Sequence, residues 1–192
     1  MKAGAFALGA VVALACSCVV PQDTQTLDAL PLRNRPPRIV ENAGMLPPEI
    51  RTPMGPDCSL DFVAFVDDPD EDDLLRFRWY LDYRPNANDP LRKLSLVDGT
   101  IQPNTTGDST VRTTAATWKL TPQELELADP TTSTHVITLL VTDGELAPSQ
   151  GPRSTPLEVP VEGTTVKDPR YAVSYSWIID IDPTVSCPPP AK

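Results

Sequence analysis

One histidine, His135, is all that the 192-residue chain offers for imidazole chemistry. Any Ser-His-Asp or Cys-His mechanism must use it, and no Gly-x-Ser-x-Gly element stands near it. Zinc is no better served, because there is neither a paired-cysteine motif nor a second histidine. Cations are scarce as well: 16 Lys and Arg against 26 Asp and Glu give a net charge of -10. A surface of that sign repels phosphate backbones and anionic headgroups, so nucleic acid is excluded as a partner. The chain lacks internal repeats, heptads and any apolar run of the ~20 residues that a membrane-spanning helix requires. Long helices are excluded by 23 prolines in 192 residues. That is about 12% against a usual level of ~5%, and each interior proline costs a helix ~3 kcal/mol. No catalytic residue and no resident cofactor are expected, and His135 reads as a strand-end residue.

What is present is strand pattern. Leu75, Phe77, Trp79 and Leu81 alternate with Arg76, Arg78, Tyr80 and Asp82, the period of two that places one apolar row on one sheet face. The preceding run sets Leu60, Phe62, Ala64 and Val66 on one face, with Val63 and Phe65 apolar on the other, which suits a central strand. Between them DDPDEDD makes a turn around Pro69. Further strands are expected at Arg38–Val40, near Leu94 and Leu96 before an Asp98-Gly99 turn, and over Val111–Leu120 with Trp118 inward. Later ones are expected over His135–Thr142, at Leu157–Val161 and over residues 171–182. Trp79, Trp118 and Trp177 all fall in inward rows, which assigns them to a core in preference to a sugar-stacking platform. Thr121-Pro122-Gln123-Glu124 combines an N-cap, a proline at the first helical position and a glutamate three residues on, announcing one short helix. Asn104-Thr105-Thr106 matches a glycosylation acceptor and is read as a polar loop. The fold class is all-β, an antiparallel β-sandwich with one short helix.

The amino terminus carries an address. Lys2 precedes the apolar run Ala3–Ala15, which ends in small residues before Cys16 and reads as a signal peptide. Ala13-Leu14-Ala15-Cys16 resembles a bacterial lipobox, although the usual leucine three positions before the cysteine is Ala13 here. The resemblance implies acylation of Cys16 and a membrane partner through that lipid; simple secretory cleavage after Ala15 is the alternative. Ser17 then implies delivery to an outer membrane. Residues 1–15 are thus assigned to the signal and 16–37 to the lipidated cysteine and a flexible tether. Residues 38–187 are assigned to the sandwich and 188–192 to a tail. The tether of 22 residues reaches at most roughly 70 Å. Cys58 before the first core strand and Cys187 after the last invite a disulfide in an oxidising envelope. Cys18 is left over as a free thiol, a second acylation site or a point of intermolecular pairing.

Asp68-Pro69-Asp70-Glu71-Asp72 with the strand that follows, and Val136–Gly144 ending in Thr142-Asp143-Gly144, resemble bacterial immunoglobulin-like domains of the PKD and cadherin-like type. Asn34-Arg35-Pro36-Pro37 is similar to their entry sequence. The resemblance spans roughly residues 34–145; the PKD signature W-x-F-G-D-G is absent, and Glu145–Arg170 is longer than the expected hairpin. It implies an immunoglobulin-like sandwich serving as a spacer, adhesion module or accessory part of an envelope assembly, with an envelope protein or polymer as partner. The acidic turn supplies enough oxygens for a calcium ion, with Asp68, Asp70 and Asp72 as candidate ligands. A carbohydrate-, polymer- or calcium-binding accessory domain is the alternative function, and a solvated turn without metal is the plainer account of the acidic residues.

Overall fold

The computed structural model describes residues 34–42, 44–53, 58–84, 96–104, 109–128, 133–147, 151–152, 158–163, 165 and 167–182. By contact the chain divides into Met1–Leu32 and Arg33–Lys192, and the described residues all belong to the second unit.

The alternating rows build two facing sheets. One holds β1 (Arg38–Val40), β3 (Leu60–Asp67) and β6 (Ala116–Leu120), with β3 central as its two apolar rows require. The other has the order β2-β10-β7-β4-β5, from β2 (Glu49–Pro53), β4 (Leu75–Leu81), β5 (Val97–Ile101), β7 (Thr134–Thr142) and β10 (Ala172–Asp182). Register brings inward residues side by side: Phe77 lies opposite Val141, Trp79 opposite Leu139 and Leu81 opposite Ile137. Trp177 faces Ile137 on the other side of β7. Phe62 crosses from the smaller sheet to within 5.7 Å of the Trp79 ring and 5.4 Å of the Trp177 ring, the latter edge-on. Trp118 packs 5.9 Å from Trp79. Offset and edge-to-face rings of this kind add to what their burial contributes. All three tryptophans are core residues, and the fold is an all-β sandwich with one short helix.

The pairing differs from the expected all-antiparallel arrangement at one edge. β1 pairs antiparallel with β3, whereas β2 crosses over and pairs in parallel with β10. Pro47 and Pro48 stand between the two strands and cannot donate to a ladder. Their segment is pinned by Trp177, whose indole N–H donates to Leu46 O at 3.1 Å, and by Ile178 N–H, which donates to Pro48 O at 2.7 Å. Proline within β2 is tolerated because β2 is an edge.

Three other expectations are corrected. Asp98-Gly99 lies inside β5 instead of ending a strand. Gly99 is paired with Phe77, and a β-carbon there would come within 2.4 Å of the Phe77 ring. The glycine makes room for a ring, so Gly99→Ala should lower stability by about 1 kcal/mol, read as a shift in the denaturation midpoint. The strand expected over Val111–Leu120 is confined to β6, with Val111 forming an isolated bridge to Asp67. The sandwich also takes in Asn34, assigned to the tether by composition, because that side chain is buried and hydrogen-bonded. The helix α1 (Pro122–Ala128) forms where its cap predicts, with Thr121 N–H donating to Glu124 Oε2 at 2.7 Å.

The longer stretch after β7 has a packing role. Outward-facing Leu140 and Tyr80 are fully buried. Arg78 donates to Ala147 O, and Gly151 lies against the Tyr83 ring, which itself packs 5.2 Å from Tyr80. Within the stretch, β8 (Val159–Pro160) and β9 (Lys167–Asp168) make a short antiparallel pair. Ala147 and Gly151 of this stretch thus lie against Arg78 and Tyr83, on and just after β4.

Candidate functional site

Buried polar groups concentrate at the two poles of the sandwich. At the entry pole β3 and β7 end while β1, β4 and β10 begin, which gathers the acidic turn, the entry segment and Asp143. Asp68 and Arg112 are both fully buried and meet at 2.5 Å. The same guanidinium donates to Asp70 O at 2.8 Å and to Glu71 O, so one arginine holds the whole turn. Asp70 N–H donates to the second Asp68 oxygen at 3.1 Å. Burial raises the Asp68 carboxyl above its ordinary range, against the opposing pull of Arg112. Beside it, the Thr110 hydroxyl, and then Arg38, hold Asp67 below that range despite its burial.

The three candidate calcium ligands are therefore not gathered around a common point. Asp68 faces Arg112, Asp70 is paired with Arg35 at 2.8 Å, and Asp72 is exposed. Among the described residues no group of three or more His, Cys, Asp or Glu side chains is arranged to hold a metal ion. Arginine supplies the positive charge in this turn. Next to it, Asn34 Nδ2 donates to Asp143 Oδ2 at 2.5 Å and to Pro169 O at 2.8 Å. Tyr171 N–H donates to the other Asp143 oxygen at 2.7 Å.

His135 and Asp82 are at the opposite pole. His135 is buried, and its Nδ1 lies 2.7 Å from Asp82 Oδ2. Asp82 has a left-handed backbone, φ 47°, which aspartate tolerates better than most residues. It clamps Val136 from both sides, accepting its N–H at Oδ1 and donating its own N–H to its carbonyl, each at 2.8 Å. The pair resembles two thirds of a catalytic triad in composition, but it lies in packed interior and holds the start of β7 to the end of β4. An open cavity of about 380 Å³ lies elsewhere, beside β4 and β5, with Arg76, Arg78, Asp98, Thr100 and Glu145 at its walls. Arg78 is already paired with Asp98 at 3.0 Å.

Cys58 is disulfide-bonded. Cys187, its expected partner, lies outside the described residues, as do Cys16 and Cys18. Asn104 is described, and its side chain ties its own loop by donating to Val111 O at 3.1 Å. Sequence patterning missed the structural roles of Arg112, Asp82, Asn34 and Asp143, because the partner of each lies far away in the sequence. Asp143 stood at the end of the Val136–Gly144 resemblance, and its burial as an acceptor had no separate mark. No described helix is long and apolar enough to cross a membrane. Comparison with protein-family models, curated proteins and solved structures gave no match.

Proposed function

We propose that the protein is a lipid-anchored, non-enzymatic component of a bacterial cell envelope, an immunoglobulin-like sandwich on a flexible tether that acts through surface contacts. The observation that carries this is the apolar run Ala3–Ala15 leading directly into Cys16. Two features support it. A disulfide at Cys58 suits an oxidising compartment. The buried ionisable groups have structural partners: Arg112 fixes a turn and Asp82 fixes a strand end. In such a component the sandwich is a spacer, adhesion or accessory module, and Ser17 directs it to an outer membrane. Its partner is an envelope protein or polymer.

Mass spectrometry of the mature chain, expressed in a two-membrane bacterium, tests the reading. The expected species begins at Cys16 and carries the mass of attached acyl chains, while Cys16→Ala moves the protein out of the membrane fraction. An unmodified amino terminus, or membrane retention of Cys16→Ala, would remove the anchor.

A further inference from the structure

On the outer face of the larger sheet the stretch after β7 is held to β4 at two points. Arg76 donates to Gly144 O at 3.3 Å, and Arg78 donates to Ala147 O. The open cavity of about 380 Å³ lies beside these points, walled by Arg76, Arg78, Asp98, Thr100, Glu145 and Leu146. Its floor follows from the register. Phe77 and Gly99 are opposite each other, and because Phe77 belongs to the core the pair offers only backbone on the outer face. On one side of that floor stand Arg76 and Thr100, on the other Arg78 and Asp98. Outward residues two apart on a strand are ~7 Å from each other, so floor and walls make a slot running across the two strands.

The charges lining the slot balance, but they are not all paired. Arg78 and Asp98 neutralise each other at 3.0 Å. Arg76 is half-buried, and its polar contact among the described residues is with the neutral Gly144 carbonyl. Arg35, Arg38, Arg112 and Arg170, by contrast, each meet an aspartate. Glu145, exposed on the facing stretch, is in no ion pair with a described residue either. One uncompensated guanidinium and one uncompensated carboxylate thus line one cavity. Beside the first is the Thr100 hydroxyl, which accepts from Gln102 Nε2 at 3.3 Å and keeps its own proton to donate. Next to the second is the half-buried Leu146. We propose that the slot binds a small zwitterion, an α-amino acid with a short aliphatic side chain. Its carboxylate lies on Arg76 and Thr100, its ammonium on Glu145 and its side chain on Leu146. A guanidinium presents paired N–H donors that match a carboxylate. A ligand without net charge also escapes the repulsion that a chain of net charge -10 exerts on anions. The site is additional to the surface contacts proposed above and stands whether or not Cys16 is acylated.

Titrating the isotope-labelled full chain with L-alanine at constant ionic strength tests the site through the amide signals of Gly99 and Thr100. Both should shift saturably in the millimolar range. Acetate and methylammonium, each carrying one half of the ligand's charge, should bind about tenfold more weakly or less. Arg76→Gln should lower the affinity for alanine about tenfold. Because Arg76 also holds the Gly144 carbonyl, Glu145→Gln serves as the second variant: it changes an exposed side chain and should lower the affinity for alanine by a similar factor. Four results would overturn the site: no saturable shift with alanine, acetate binding as tightly as alanine, either variant binding alanine as well as the wild type does, or Glu145→Gln binding it more tightly. The last would mean that Glu145 is the counter-ion of Arg76 within the chain itself.

Discussion

Replacing Arg112 by Met lowers the stability of the sandwich by about 3–5 kcal/mol, the usual result of removing one partner of a buried ion pair. The size follows from what remains. Asp68 stays fully enclosed with its charge unopposed, and the carbonyls of Asp70 and Glu71 lose the guanidinium that reaches them. In a unit of this length the melting temperature should drop by roughly 10 °C or more. The deficit has a pH signature. Without Arg112 the folded-state pKa of Asp68 rises further, so the loss is smallest in acid, where the carboxyl is neutral, and grows as pH rises. Chemical denaturation near pH 4.5 and near pH 8 measures both effects. Adding Asp68→Leu to Arg112→Met should recover the part due to the stranded charge but leave the part due to the two carbonyls. A loss under ~1 kcal/mol for Arg112→Met would mean that the turn holds without its arginine.

Breaking the disulfide at Cys58 should cost about 2–5 kcal/mol, and the sheet register says which cysteine to test as its partner. β2 and β10 run in parallel with Pro53 opposite Asp182. Cys58 and Cys187 each follow one of these residues by five positions (58 − 53 and 187 − 182). Cysteines at equal sequence separations from the ends of adjacent parallel strands suit a bridge. A Cys58–Cys187 bridge closes a loop of 129 residues (187 − 58), for which the chain-entropy model gives ~5 kcal/mol. Cys58→Ser and Cys187→Ser should therefore cost the same, the double variant no more, and Cys18→Ser nothing. A non-reduced peptide map should contain the 58–187 pair; finding Cys58 joined to Cys16 or Cys18 would sink the assignment and the lipid anchor would need re-examination.

The parts of the fold that were legible are those where a local period carries the information. Trp79 and Leu139 declare their inward faces by their alternating neighbours, and tertiary register then sets them side by side. The Thr121 to Glu124 cap was legible for the same reason, since its atoms are three residues apart. β2 was not, because its partner strand lies about 130 positions away and proline at its ends hides its period. The polar poles were the least legible. Asp68 and Arg112 are 44 positions apart, and Asn34 and Asp143 109 apart. No spacing rule links single residues over such distances. Composition made the acidic turn look like a cation site because it counts carboxylates, whereas the fold brings Arg35 and Arg112 to two of them.

The crossover at Pro47 and Pro48 also decides how the domain bears mechanical load. β2 and β10 run in the same direction, so tension drawing the amino-terminal side one way and the carboxyl-terminal side the other slides these strands lengthwise past each other. All five registered positions, from Ile178 opposite Glu49 to Asp182 opposite Pro53, then resist together in shear. A hairpin peeled from one end would surrender its positions singly, whereas this edge yields only when the whole row gives way.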